Sequence, residues 1–316
     1  MVKSKTAVVA LGGNAITRPG IEDTIANQFA NTRQSLDGVI GLLRNGFNLV
    51  VTHGNGPQVG NALLRIELAR GKAPILPLGV LVADTEGGMG YMIEQSLRNR
   101  LQAEGIDRQV VTIITQMLVR EDDPAVDNPT KFIGQFYTKE QADTYSHKRG
   151  WQMKQDGDRG WRRVVPSPMP YKAVAADTIK RLVSEGVVVI AGGGGGIPVY
   201  LHKTGSYEGM DAVIDKDLAS AVIANEIGAG ILCILTSIDK VLINYGRPDE
   251  KKLGAVTLSE IKKYYHEGHF PPGSMGPKIK AAIKFLEAGG ELVTITSFEN
   301  ASHAIEGNAG TRIIPD

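Results

Sequence analysis

Three lysines stand beside glycine or proline turns. Lys131 follows Asn128-Pro129-Thr130, Lys216 lies between Asp215 and Asp217, and Lys278 follows Gly276-Pro277. Four glycine-bearing segments accompany them: Gly12-Gly13-Asn14, His53-Gly54-Asn55-Gly56-Pro57, the run Gly192 to Gly196, and Gly273-Ser274-Met275-Gly276. Phosphoryl transfer asks a protein for little covalent help. It asks for positioned donors and for positive charge on the transferring and leaving oxygens. Glycine turns offer backbone N–H groups that a phosphate can approach closely, and lysines offer the charge. Lys278 falls on the first turn of a predicted amphipathic helix, where a cation is disfavoured unless an anion joins it. Lys216 is expected to point into the crevice that the glycine loops share, and Asp217 to cap the helix that begins near Leu218.

Other chemistries find less support. There is no G-x-G-x-x-G and no G-x-x-x-x-G-K-[ST], so neither a dinucleotide fingerprint nor a P-loop is indicated. His53 reads as a turn residue bonded to backbone rather than as a catalytic base. No second His or Cys stands at ligand spacing from it, so no protein metal site is expected. The five glycines could form a flexible linker, but they follow Val187-Val188-Val189-Ile190 directly, which favours close packing against a ligand. The basic and aromatic stretch from Lys148-Arg149-Gly150-Trp151 to Trp161-Arg162-Arg163 admits a nucleic-acid reading. The preferred reading has arginine stems covering tryptophan faces, because a net charge of +1 exerts no general pull on polyanions or membranes. A single cysteine, Cys233, allows no internal disulfide and fits a reducing, cytoplasmic setting. The apolar run before Gly12 is too short for a secretory signal. No stretch approaches the roughly 18 apolar residues of a membrane span.

The elements that must position these residues follow from periodicity. Apolar runs at Ala7 to Leu11, Phe47 to Thr52, Val110 to Thr115, Val187 to Ala191, Ile231 to Leu235 and Leu292 to Thr296 suit strands buried on both faces. Between them lie helical faces: Phe29, Leu36, Val39, Ile40 and Leu43; Ile93, Leu97 and Leu101; Leu218, Ala221 and Val222; Ile279, Ala282, Ile283 and Leu286. Pro57 and Pro277 sit where helices start, and Gly46, Gly105, Gly186 and Gly289 where they end. Alternating strands and helices predict an α/β fold with a mostly parallel sheet. Residues 1–316 are read as one domain. The polar, weakly periodic stretch 121–170 interrupts it as an inserted protruding subdomain or lid.

Several segments, in order, resemble the motifs of carbamate kinases, members of the amino-acid kinase superfamily. They are Val9 to Ala15, His53 to Gly60, Asn128-Pro129-Thr130-Lys131, Arg159 to Pro168, Ala212 to Ala219 and Gly273 to Lys278. The resemblance implies a three-layer α/β/α sandwich around a mainly parallel sheet of about eight strands, a lid subdomain and a homodimer. It implies small-molecule substrates and reversible transfer between ATP and carbamate, giving ADP and carbamoyl phosphate, with Mg²⁺ on the nucleotide. Many members run toward ATP at the end of arginine or purine-derivative breakdown. By the same resemblance, Lys131, Lys216, Asp217 and Lys278 are the catalytic set. Gly12, Gly13, Asn14, Gly54, Asn55 and Gly56 hold the acceptor and the phosphoryl group. Gly194, Gly195, Thr236, Ser237, Tyr245, Met275 and Gly276 meet the nucleotide.

Three departures stand out. Phe132 replaces the proline after the lysine of Pro-Thr-Lys-Pro, and Ser237 replaces the acid of Leu-Thr-Asp. Val82-Ala83-Asp84-Thr85-Glu86-Gly87 stands where Gly-Ala-Met-Ser-Gln-Gly is usual. Two carboxylates near the substrate end or the dimer contact leave a related small carboxy or carbamoyl acceptor open. A non-catalytic protein that binds nucleotide or carbamoyl phosphate is the rival from another class, and no nucleic acid or membrane partner is expected.

Overall fold

A computed structural model describes residues 5–18 and 20–316 of the chain; the Asn14 side chain lies outside what it describes. Eight strands form the central sheet: β1 Thr6–Leu11, β2 Asn48–His53, β3 Val110–Ile113, β4 Val188–Ala191, β5 Ile231–Thr236, β6 Ala255–Thr257, β7 Leu292–Ser297 and β8 Thr311–Ile314. Their order across the sheet is β6-β8-β7-β5-β1-β2-β4-β3. All neighbours are parallel except β7 and β8. Among the described residues, ten α-helices accompany them: α1 Ile25–Ser35, α2 Asp37–Arg44, α3 Gly56–Leu68, α4 Leu78–Ala103, α5 Lys139–Arg149, α6 Ala176–Ser184, α7 Lys216–Ile227, α8 Leu258–His266, α9 Met275–Glu287 and α10 Ala301–Glu306.

The strands are apolar on both faces because both faces are covered. Along β1, Val8 and Ala10 join the core under α6, α7 and α9, whereas Ala7, Val9 and Leu11 join the core under α2, α4 and α10. β5 divides in the same way, with Leu232 and Ile234 on the first side and Ile231, Cys233 and Leu235 on the second. The result is the expected three-layer α/β/α sandwich.

The helical face from Phe29 to Leu43, expected to lie on one helix, belongs to two. Leu36 (φ −84°, ψ −7°) separates α1 from α2. A Cβ on Gly38 would overlap Phe298 O and Ala301 Cβ, so the chain turns there to press α2 against the backbone at α10. Gly46, Gly105, Gly186 and Gly289 do end helices, each at positive φ.

Within 121–170 the chain forms a three-stranded antiparallel sheet in which Lys131–Tyr137 and Met153–Gln155 flank Trp161–Val165. Helix α5 packs on it, stopped by Gly150 in the left-handed region. Ile133, Tyr137, Trp151 and Val165 share a core with Val59 and Leu63 of α3 and Leu81 of α4, which seats this sheet beside the loop that follows β2. A Cβ on Gly60 would overlap Gly134, so α3 and the first strand of the sheet touch backbone to backbone. Several basic residues of this stretch are engaged within it, and Arg149 pairs with Glu67 of α3. Arg163 lies 4.7 Å from the Trp151 ring and Lys139 4.3 Å from the Trp161 ring. Arg162 donates to Gly134 O and pairs with Asp156. Among the described residues, no helix is long and apolar enough to cross a membrane.

Candidate active site

The carboxyl ends of β1, β2, β4 and β5 deliver the glycine turns to one edge of the sheet, as expected for ligand-binding loops in an open parallel sheet. Gly12 N donates to Leu235 O (3.0 Å) and Gly54 N donates to Leu11 O (3.1 Å), so the turns after β1, β2 and β5 are tied together. A Cβ on Gly54 would lie 3.3 Å from Lys216 Cδ and 3.4 Å from Gly13 N. Only a glycine turn lets the backbone come this close to the lysine stem. Gly56 opens α3 with Pro57 behind it, and no side chain caps that helix. Its first N–H groups therefore remain available to an anion.

Helix α7 begins at the lysine. Asp215 is its N-cap: Oδ1 accepts from Asp217 N (2.9 Å) and Leu218 N (3.4 Å). This corrects the expectation that Asp217 caps the helix. Asp217 lies in the first turn, its side chain only 3% exposed, and it serves the lysines instead. One carboxylate oxygen accepts from Lys216 Nζ, and the other accepts from Lys278 Nζ at 3.1 Å. Lys278 reaches this point from the first turn of α9, whose N-terminus also has no side-chain cap. Asp215 turns its second oxygen to Lys131 Nζ (2.9 Å), which comes from the first strand of the small sheet. Three lysines from three distant parts of the chain thus converge on Asp215 and Asp217. Formally, three positive and two negative charges leave the site one positive charge in excess.

The electrostatics follow from crowding. Burial holds Lys216 below the ordinary lysine range, partly opposed by Asp217 and reinforced by Lys278. Lys278 is raised: its burial is outweighed by Asp217. Burial alone would lift Asp215, but Lys131, Lys216 and Lys278 outweigh it and hold the carboxyl well below the usual carboxylate range. His53 is buried at the end of β2 with Nδ1 3.2 Å from Gly54 O. Burial pushes its pKa down to about 4, so the ring is neutral. It is the backbone-bonded turn residue expected from the sequence.

The remaining predicted residues fall into two groups. Thr236 ends β5 beside Gly12; Ser237 follows it at the surface, and Met275 and Gly276 open α9 near Lys278. Tyr245 is 73% exposed, just after the positive-φ residue Asn244. Gly194 and Gly195 are not brought to this nucleotide group. A Cβ on Gly194 would overlap Asn55, and one on Gly195 would overlap Ile214 O. They follow β4, which lies on the side of β2 away from β5. A cavity of about 780 Å³ opens between the small sheet and the start of α9, lined by Lys131, Phe132, Arg162, Asp215, Ser274 and Gly276 among others. That volume suits a small-molecule ligand. Among the described residues, no group of three or more His, Cys, Asp or Glu side chains could hold a metal ion.

The sequence reading missed one carboxyl group of the site and misplaced another. Asp215 was visible only as half of an acidic pair, and its distance from Lys131 in sequence hid their contact. Glu86, expected near the substrate end or the dimer contact, is buried behind the glycine run, where Oε2 accepts from Thr115 N (2.9 Å). Asp84, two residues earlier on α4, is exposed and lines a separate groove with Gln28, Asn61 and Arg65. Among the described residues, neither carboxylate contacts Lys131, Lys216 or Lys278, so the departure in this segment leaves the lysine cluster intact.

A glycine-lined sheet edge, three converging lysines and two uncapped helix N-termini define a protein that handles phosphoryl groups. The chain belongs to the amino acid kinase family, whose profile matches residues 5–297. It is 46% identical to the carbamate kinase of Pyrococcus furiosus over 98% of this chain and 99% of that protein. It is also 46% identical to the carbamate kinase-like protein YahI of Escherichia coli, over 97% of this chain and 98% of that protein. The structure superposes on carbamate kinase from Giardia lamblia bound to AMP-PNP with a TM-score of 0.92, at 42% identity and covering 100% of both chains.

Proposed function

We propose that this protein is a carbamate kinase, transferring a phosphoryl group reversibly between ATP and carbamate to give ADP and carbamoyl phosphate. One observation carries the reading. Asp217 bridges Lys216 and Lys278, and Lys216 lies against the Gly13 and Gly54 turns. Two cations are thereby held at a fixed spacing where a phosphoryl group would be cradled by backbone N–H groups. Such preorganised charge acts on the transferring and leaving oxygens without reorganisation during the reaction.

In this reading Gly12, Gly13, Asn14, Gly54, Asn55 and Gly56 hold the acceptor and the transferring group, and Gly194 joins them by supporting Asn55, with Gly195 packed behind it on Ile214. Lys131 reaches the acceptor end from the small sheet, which acts as a lid over a single domain. Lys216 bridges the phosphoryl group, Asp217 orients both lysines, and Lys278 meets the β-phosphate of the nucleotide. Thr236, Ser237, Tyr245, Met275 and Gly276 face the nucleoside. The AMP-PNP bound to the Giardia relative supports nucleotide use. Mg²⁺ would ride on the nucleotide phosphates, because Asp215 and Asp217 are already engaged by lysines. ATP formation in the cytoplasm, in arginine breakdown, is the expected direction. A homodimer is supported by the edge strand β3 and by Tyr91 and Ile114, which are 60% and 47% exposed beside it.

The test is ATP formation from ADP and carbamoyl phosphate, with Lys216→Ala and Lys278→Ala beside the wild type. Loss of about 2.7–4 kcal/mol of transition-state stabilisation is expected for each. Equal turnover by all three proteins would overturn the assignment, and nucleotide binding without turnover in the wild type would favour the non-catalytic alternative.

A further inference from the structure

Glu86 is a buried carboxyl group that the mechanism above does not use. It sits in α4, and only 2% of the residue is exposed. Oε2 accepts from Thr115 N, whereas Oε1 is buried with no hydrogen-bond partner. The side chain lies directly beneath the glycine run: a Cβ on Gly193 would come 3.1 Å from Glu86 Cγ and would overlap the His53 ring. Gly192 N donates to Thr115 Oγ1 (2.9 Å), so Thr115 and the glycine run are joined just above the carboxyl. Gly194 in turn presses on Asn55, whose Nδ2 donates to Thr85 Oγ1 (3.0 Å). One carboxyl group therefore underlies the whole acceptor-side wall.

The surroundings offer no counter-charge. From β2, His53 faces it as a neutral ring. From α7, Lys216 lies beyond His53 and acts on that ring. On its own helix, Asp84 is exposed, and Glu94 is taken up by Arg98 and Thr112. The glycine run and Thr115 contribute only dipoles. An ionised carboxylate with an unpaired buried oxygen is costly here, and a neutral carboxyl is not. Consistent with this, burial pushes the Glu86 pKa up to about 8, opposed less strongly by the Thr115 N–H that it accepts from and by the nearby Gly193 N–H.

We propose that Glu86 is a positioning residue that works as a neutral carboxylic acid, and that its ionisation displaces the Gly192–Gly196 wall and sets an alkaline limit on phosphoryl transfer. A neutral carboxyl has the shape of a glutamine amide and carries no charge. A glutamate therefore keeps the neutral shape while adding a proton switch. The kinetic part of the inference rests on the carbamate kinase reading; the protonation state does not.

The experiment compares wild type, Glu86→Gln and Glu86→Ala from pH 6 to pH 9.5, following ATP formation and, separately, the thermal unfolding midpoint of the protein without substrates. Above about pH 8, wild-type kcat/KM for carbamoyl phosphate should fall about tenfold per unit as the ionised form takes over. Glu86→Gln should match wild type at pH 6.5 and hold its rate one unit or more further into the alkaline range. Any limb set by Lys216 persists in both. Glu86→Ala, which leaves Thr115 N without its acceptor, should lose activity at every pH. In unfolding, the wild-type midpoint should decline relative to Glu86→Gln as pH rises from 6 to about 8. Superimposable unfolding profiles for wild type and Glu86→Gln would overturn the inference even if no turnover were found. Superimposable activity profiles would overturn its kinetic part while leaving the kinase assignment standing.

Discussion

Replacing Asp217 with asparagine keeps the shape of the side chain and removes the charge that separates two lysines. Asp217 Oδ2 is 3.1 Å from Lys278 Nζ, and the other oxygen is bonded to Lys216. At an effective dielectric of about 20, one contact at that distance is worth about 5 kcal/mol before desolvation is set against it. Breaking a buried pair from one side costs about 3–5 kcal/mol, because the stranded charges stay buried. That is a large fraction of a typical folding free energy of about 5–15 kcal/mol. The loss has a predictable pH dependence. Burial already holds Lys216 below its ordinary value of 10.5, with Asp217 its strongest opposing influence. In Asp217→Asn the folded-state lysine binds its proton less tightly than the unfolded one. Stability then rises with pH through the interval between the depressed folded value and 10.5. The deficit against wild type should therefore be largest near neutrality and shrink at pH 9.5. Urea unfolding at pH 7 and pH 9.5 measures both quantities, and a cycle with Lys278→Met isolates the pair. A deficit below about 0.5 kcal/mol, the scatter of ordinary surface changes, would refute the reasoning. So would a deficit equal at the two pH values.

Two further outcomes test the layout of the site. Gly194 has φ +65°, and a Cβ there would overlap Asn55, so Gly194→Ala should raise KM for carbamoyl phosphate at least tenfold while leaving ADP affinity unchanged; equal losses on both substrates, measured by steady-state kinetics and calorimetry, would return this glycine to the nucleotide side. Asp215 is held well below its ordinary value of 3.8 by three lysines that outweigh its burial. Its contribution to stability is then present above about pH 3.8 and lost as pH falls toward its folded value. Asp215→Asn keeps a good helix cap, so acid unfolding followed by circular dichroism should show a deficit above pH 4 that closes at lower pH; a deficit independent of pH would assign the role to capping alone.

Much of this arrangement was legible in the chain itself. The runs at Ala7 to Leu11 and Ile231 to Leu235 read as doubly buried strands because both faces of a parallel sheet are covered, and their positions match within a residue. The short elements Ala255–Thr257 and Thr311–Ile314 were not legible as strands. They are three and four residues long, and they exist because β7 offers β8 an antiparallel partner, which is a non-local event. The break at Leu36 was invisible for a similar reason: it sets α2 in close contact, at Gly38, with Phe298 and Ala301, far along the chain. Asp217 was read as the cap in place of Asp215 because sequence spacing alone admits either at the start of α7.

By itself the sequence determined the chemistry available. Glycine turns at strand ends and lysines beside them are local facts, since glycine alone permits the close approach and lysine alone brings a mobile ammonium group there. The tertiary structure decided which charges meet. Lys131, Lys216 and Lys278 come from the small sheet, α7 and α9, and only their shared packing against Asp215 and Asp217 makes them one site. It also decided the state of Glu86, a surface-like residue type whose protonation depends on burial behind Gly193. A residue's type sets what it can donate or accept, whereas its charge and reach depend on neighbours that only the folded chain supplies.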